Sequence, residues 1–557
     1  MIIKISKNVR SMVDKEGNTQ SPETKQQSLL AYDDDRGKKI ILNLKQYIQP
    51  FERILAQSEL AGLLEPGLIN NLFETPANNS IIVTTNVSSK ALLERLAYWE
   101  TITSDTKEMT LQVLFEYSMN GKTSIGKVSD SQLHKTRRLR YGPHDIHEYR
   151  GKFFPQLVRS LINSARLEPE DLVLDPMCGS GTTNVEARVI NMSTIGLDIN
   201  PLSVKIARTK TELLELDPIK LGMEMNGIID TISDLPIIKK NEIWNDNDYR
   251  YLKNWFDENA LFEISSVLSN IRKNKNEKIR DLAELSLSNI IRKISLQKES
   301  DLRVRKEIKE YNEGMCIELL INEINSQLNK LVPYLSLFKN IENMPYFKIN
   351  EGNSKEIDYI MRKWVGECDL IITSPPYATA LPYLDTDRLS LVVLGLLTRR
   401  KHKEREQLLI GSREVSEKQR QIIWETYLAR KSDLPPQISS LIDKIATVNH
   451  GEGVGFRRRN LPALLGRYFL DMYDSMEKHL KMLKKGRYAF YVVGNNSTLV
   501  NNVNTEIPTD RFLWEIGKKL GWEAYKIIDM ELLPSRDIFR KNRGTVEKIL
   551  IFKKKGG

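Results

Sequence analysis

DLVLDPMCGSGTTNVEARVINMSTIGLDINPLSVKIARTK, residues 171–210, reads as strand, glycine turn, helix, strand, turn, helix. Short apolar runs bounded by turn residues predict buried strands, and their alternation with helical periods predicts a βαβ unit. A second run, DLIITSPPYATALPYLDTDR at 369–388, supplies another buried strand over Asp369–Thr373 that stops at Ser374-Pro375-Pro376-Tyr377. A strand cannot continue through two prolines, since each lacks an N–H and fixes φ. In open α/β sheets the carboxyl ends of the strands face the ligand. Both punctuated runs therefore mark candidate site loops on an α/β sheet.

Outward from these runs the chain divides into four parts. Residues 1–130 mix strand and helix patterns and read as an N-terminal extension or small domain. Residues 131–217 carry the glycine turn, preceded by the basic, aromatic LHKTRRLRYGPHDIHEYRGKFFPQLVRSLINSA. Residues 218–345 are helical in period with few strand signals, which predicts a helical insertion. Residues 346–557 return to the α/β pattern, with a basic helical segment at 391–460. The last two strands are expected to form a hairpin at the sheet edge.

The 557 residues are 40% hydrophobic and 28% charged, a soluble globular balance. The sequence shows no apolar run of membrane-spanning length and no signal-peptide pattern, so a cytoplasmic location is expected. Cys178, Cys316 and Cys368 are isolated, with no CxxC and no histidine cluster, which argues against disulfides and against a metal site. The net charge of +10 weakly favours a polyanionic partner. Four basic clusters, at 135–140, 399–405, 456–459 and 535–543, are candidate phosphate contacts, although single charge runs are usually solvated faces.

The glycine turn has its own chemistry. Gly179 and Gly181 follow a strand and precede a helix, where the backbone turns tightly and approaches a ligand. The phosphate-loop pattern GxxxxGK[ST] is absent, and Asp175 beside the turn disfavours a pyrophosphate. An ammonium or sulfonium guest fits better. Asp198 ends the next strand, where an acid can grip ribose hydroxyls. A GxG turn alone is also an ordinary tight turn; with Asp175 and Asp198 it points to S-adenosylmethionine.

DPMCGSGTT and TSPPY together resemble the cofactor and catalytic motifs of the amino-methylating DNA methyltransferases, usually written DPFxGSGTT and [DNS]PP[YFW]. The resemblance spans roughly 140–217 and 345–557. It implies a Rossmann-like, S-adenosylmethionine-dependent α/β methyltransferase sheet with helices on both faces, carrying the helical insertion and N-terminal extension as additions. It implies cofactor contacts from Asp175, Pro176, Cys178, Gly179, Ser180, Gly181, Thr182 and Asp198. Phe154, with Lys152 and Phe153, would wrap the cofactor or pack the start of a helix, and Asn353 would sit near the adenine. Ser374 and the Pro375 carbonyl would accept hydrogen bonds from the target amine, Pro375 and Pro376 would stiffen the turn, and Tyr377 would stack on an extruded base.

The motif order, cofactor before catalytic, departs from the commonest bacterial arrangement. In that family SPP tends to accompany N4-cytosine methylation, while DPP and NPP tend to accompany N6-adenine methylation, so cytosine N4 is preferred. The implied setting is restriction–modification, with double-stranded DNA as partner and any cognate endonuclease on another chain. An N6-adenine enzyme, an RNA base methyltransferase and a catalytically silent DNA-binding subunit remain alternatives. A cytosine-C5 enzyme needs a Pro-Cys dipeptide, which the chain lacks. Cys178 is expected as a buried thiol, His144 and His147 as surface or nucleic-acid contacts, and Asp385 and Asp387 as a helix cap and ion pair.

Overall fold

The computed structural model describes residues 37–46, 48–64, 79–118, 139–149, 151, 154–299, 305–338, 344–378, 383–412, 415–449, 455–500, 503–531 and 546–556. Near the N-terminus, β1 (Lys38–Leu44), β2 (Ser80–Thr85), β3 (Trp99–Thr103) and β4 (Lys107–Met109) pair antiparallel in the order β2-β1-β3-β4. Alternation in β1 buries Ile40, Leu42 and Leu44 on one face. The Pro50–Leu63 helix then packs on the Pro155–Ser164 helix, where Ser160 Oγ donates to the Leu55 carbonyl.

The principal sheet is built from β5 (Leu172–Asp175), β6 (Ser193–Asp198), β7 (Phe347–Glu351), β8 (Cys368–Thr373) and β9 (Leu483–Gly494), and from two later strands. A small hairpin of β10 (Asn496–Val500) and β11 (Val503–Ile507) precedes those two, β12 (Glu523–Glu531) and β13 (Val546–Lys553). The order is β12-β13-β9-β8-β5-β6-β7. Strands β5 to β9 pair parallel, and β13 runs antiparallel to both neighbours, β9 and β12. The hairpin expected at the edge is present, with the last strand tucked inside. Ile549, Leu550, Ile551 and Phe552 of β13 are all buried, whereas β12 exposes Tyr525 and Ile527, so the more apolar strand takes the inner place.

Strand periodicity gives each face of the sheet its own core. Val173, Leu370 and Ile372 join the core shared with the N-terminal sheet and the helices between β6 and β7. Leu174, Ile371 and Tyr491 face the helices Ile357–Ile360, Phe456–Met482 and Thr509–Lys519. The β6-to-β7 crossover carries the helices Pro201–Glu212, Pro218–Ser233, Asp246–Leu252, Glu258–Ile271, Glu277–Ile294 and Met315–Leu337. Their apolar stripes bury Leu221, Ile264, Leu282 and Leu320 in that first core.

His144 and His147 lie inside, contrary to the surface placement expected. His144 Nε2 meets Glu186 Oε1 at 2.8 Å, Arg159 Nε donates to the other oxygen of the same carboxylate, and His147 Nε2 meets Ser288 Oγ at 2.9 Å. A histidine directly after a Pro, as His144 is, reads as loop surface in sequence; tertiary pairing with a buried carboxylate overrides that reading.

Candidate active site

The chain builds β5, β6 and β7 toward one edge, then returns to place β8 on the other side of β5. That reversal is a topological switch point, where loops at the carboxyl ends diverge and leave a crevice. Val173 pairs with Leu370 and Leu174 with Ile371, so the adjacent strands β5 and β8 bring Asp175 and Ser374, 199 residues apart in sequence, to one edge of the sheet. A pocket at this edge is lined from β5 by Asp175 to Ser180, from β6 by Asp198 to Asn200, and from β7 by Gly352, Asn353 and Ser354. From β8 it is lined by Ser374, Pro375, Pro376 and Tyr377.

The turn after β5 is held by hydrogen bonds at each step. Cys178 N donates to the Leu197 carbonyl at 2.9 Å, Gly181 N to the Cys178 carbonyl at 2.8 Å, and Gly179 N to Asp198 Oδ2 at 2.8 Å. Gly179 and Gly181 have φ of 49° and 74°, the left-handed region where a Cβ is strained. Asp175 accepts from Thr183 Oγ1 at 2.7 Å and from Met177 N at 3.2 Å. The loop thus presents two carboxylates, Asp175 and Asp198, to one cavity, and no basic side chain pairs with either among the described residues.

Burial, the dominant cause, raises the Asp175 carboxyl to about 7 and that of Asp198 to about 6, against partial relief from their hydrogen bonds. Each group therefore favours the fold of the unliganded protein at low pH and loses that contribution as pH rises through those values. A cationic ligand reverses the preference by favouring the ionised forms. Binding of a sulfonium ligand at pH 6.5 is expected to release up to about one proton, with affinity rising between pH 5.5 and 8. Calorimetry in buffers of different ionisation enthalpy measures this; buffer-independent heats would mean that neither carboxylate meets the ligand's charge.

On the β8 side, Ser374 is half-buried and has no hydrogen-bond partner among the described residues. Tyr377 Oη donates to Glu547 Oε1 at 2.6 Å, and a Cβ at Gly494 would stand 3.3 Å from the tyrosine ring. The ring is thereby pinned between the start of β13 and the end of β9. The pocket's remaining wall comes from the basic segment: Glu406, Leu408, Leu409, Ile410 and Ser412, at and beyond the end of the Arg399–Leu408 helix. Arg405 fastens this wall by donating to the Ile199 carbonyl at 2.9 Å and pairing with Glu351.

Against this geometry stand the comparisons with known proteins. Residues 27–209 match the DNA methylase family model N6_N4_Mtase, a span that includes the glycine turn and Asp198 and ends before β8. The type II methyltransferase M.MvaI of Kocuria varians is 24% identical over 413 residues, covering 71% of this chain and 86% of its own. M.BsoBI of Geobacillus stearothermophilus, also a type II methyltransferase, is 22% identical over 422 residues, covering 70% and 80%. Over these spans the chain is similar to the amino-methylating DNA methyltransferases. Among solved structures, TrmN from Thermus thermophilus aligns with 93% of this chain and 99% of its own at 10% identity. Its TM-score of 0.31 is too low to carry an inference.

In this methyltransferase, two of the residues expected at the cofactor stand away from the pocket lining. Phe154 precedes the Pro155–Ser164 helix and packs on the core, and Gly181 lies against Ala207. Lys152 and Phe153 lie outside the described residues. Tyr149 and Gly151 line the pocket from that side instead. Tyr149 Oη is 3.2 Å from Ser203 Oγ, and its ring is 3.0 Å from where a Gly179 Cβ would be. Glu406 to Ser412 had no signal in sequence, because they end or follow a helix whose charge suggested solvent. Asp385 pairs with Arg388 as expected, while Asp387 accepts from Asn200 Nδ2 at 2.9 Å and so braces the loop after β6.

Proposed function

We propose that this methyltransferase methylates the exocyclic amine of a base swung out of double-stranded DNA, using S-adenosylmethionine, with cytosine N4 as target. The observation that carries the reading is the meeting of two loops, Asp175–Thr182 and Ser374–Tyr377, in one pocket at adjacent strand ends. The donor set fits the cofactor. Ser180 Oγ is buried against this pocket with no hydrogen-bond partner among the described residues, and Asp175 and Asp198 are carboxylates with which no basic side chain among those residues pairs. When bound, S-adenosylmethionine supplies an electrophilic methyl on a sulfonium.

The chain's own residues do the rest. Asp175 and Asp198 favour the cation and the ribose hydroxyls. A nucleobase amine is a weak nucleophile because its lone pair is conjugated with the ring. Ser374 Oγ and the Pro375 carbonyl accept its N–H bonds as the nitrogen turns pyramidal, and the two prolines hold those acceptors in place beforehand. Tyr377, fixed by Glu547, offers its face to the extruded base. The choice of cytosine rests on the serine of SPP.

For DNA, three of the four basic clusters carry exposed cations among the described residues: Arg140 in the first, Arg400, Lys401 and Lys403 beside the pocket wall, and Arg457 to Arg459 at the start of the Phe456–Met482 helix. The cluster at 535–543 and most of 135–140 lie outside the described residues. Residues 218–345 and 391–460 are the two segments proposed to read sequence, and the second is favoured because it forms the pocket wall. DNA affinity is expected to fall log-linearly with salt, and changing Arg457, Arg458 and Arg459 to Gln should reduce the slope by up to about 3 units. An unchanged slope would remove that helix end from the DNA contact.

The setting proposed is restriction–modification, with a cognate endonuclease on another chain and a cytoplasmic location. Among the described residues no helix is long and apolar enough to cross a membrane. The test is incubation with methyl-labelled cofactor and DNA, followed by digestion to nucleosides. Label in N4-methylcytosine is expected; label in N6-methyladenine would reassign the base, and label accepted only by RNA would reassign the substrate.

A further inference from the structure

We propose that Ser354 reads the base of the cofactor as an obligate hydrogen-bond donor, its polarity fixed by a buried relay from Tyr491 through His479. The inference rests on the proposed cofactor. Ser354 follows β7 and lines the pocket, and its Oγ lies 2.7 Å from His479 Nε2. His479 Nδ1 lies 2.7 Å from Tyr491 Oη. Tyr491 on β9 and His479 on the Phe456–Met482 helix are fully buried.

The direction of the relay follows from counting protons. Burial lowers the His479 pKa to about 3, so the ring is neutral and carries one N–H. The Tyr491 hydroxyl has no other acceptor among the described residues, so its proton goes to Nδ1. The imidazole proton is then on Nε2 and points at Ser354 Oγ. With that oxygen accepting, the serine's own proton has no acceptor among the described residues except what occupies the pocket. The reverse arrangement would strand a phenol proton inside the core, and is disfavoured by about tenfold or more.

Position along the sheet says what the proton meets. The carboxyl ends run β8, β5, β6, β7, from the Ser374 turn through the glycine turn and Asp198 to Ser354. A nucleoside with its ribose at Asp198 and its sulfonium toward β5 and β8 has its base at the end of β7. Asn353 agrees in polarity: its Oδ1 accepts from Lys355 N at 3.1 Å, which leaves its amide N–H groups for the pocket. Two neighbouring donors match the lone-pair nitrogens of an adenine ring. Ser354 is the reading residue, and His479 and Tyr491 are positioning residues.

Calorimetry with S-adenosylhomocysteine and its 1-deaza, 3-deaza and 7-deaza analogues tests this, because each analogue deletes one ring acceptor. Wild-type protein is expected to bind one analogue about tenfold more weakly than the parent. Ser354→Ala should bind the parent about tenfold more weakly and lose that discrimination. Tyr491→Phe, which frees the His479 proton to move to Nδ1, should lose most of it while retaining the wild-type circular dichroism. Parent and analogues bound alike by wild type, or discrimination that survives in Ser354→Ala, would overturn the inference while leaving the cofactor assignment intact. No binding of S-adenosylhomocysteine by wild type would instead overturn the proposed function.

Discussion

Ser374→Ala is expected to slow methyl transfer roughly 100-fold while leaving cofactor affinity within about twofold. The oxygen it removes faces the pocket with no other hydrogen-bond partner among the described residues, so the loss falls on the reacting amine. That bond strengthens as the nitrogen becomes pyramidal, so the cost appears in turnover more than in binding; removing one preorganised group of this kind costs about 100-fold or more. Tyr377→Ala removes a stacking face worth on the order of 1–3 kcal/mol per base. It also frees Glu547, whose partner is the tyrosine hydroxyl. Tyr377→Phe separates the two roles, keeping the face and losing the anchor, and should lie between them. Single-turnover methyl transfer with cofactor affinity measured in parallel is the readout. Wild-type rates in both alanine variants would remove the β8 end from the active site.

Gly181→Val should lose cofactor binding and stability together. At φ of 74° any L side chain is strained, and a Cβ there would stand 2.6 Å from the Ala207 Cβ on the Pro201–Glu212 helix. The left-handed conformation costs roughly 1–2 kcal/mol for a non-glycine residue. The overpacking adds about 1–3 kcal/mol. Relief requires the turn to move away from the helix, which displaces Asp175, Ser180 and Thr182 from the pocket. The expected result is a more than tenfold loss of cofactor affinity and a urea midpoint clearly below wild type. Gly486→Ala serves as comparison: φ there is 77° and a Cβ meets nothing within 4 Å, so it should show the backbone penalty without the loss of binding. Equal behaviour of the two variants would separate the Gly181 contact from the cofactor site.

What the sequence alone determined here was local. The turn after β5 is written in Asp175-Pro176 and two glycines, and the stop of β8 in two prolines, because each feature depends on φ and on N–H groups within a few residues. The placement of the motif side chains was legible for the same reason: a carboxylate at a strand end and a hydroxyl before Pro-Pro stay where the backbone puts them. Partners chosen across the fold were not legible. Arg405 reads as one more cation in a basic helix, and only its approach to the Ile199 carbonyl and Glu351 makes it a fastener of the pocket wall. His144 reads as a loop histidine until Glu186 and Arg159 close around it. Tyr377 carries no sign of Glu547, 170 residues away, nor Ser354 of His479, 125 residues away. Burial decides such contacts, because a polar group withdrawn from water takes whichever partner the packed elements bring within 3 Å, and sequence separation has no part in that choice.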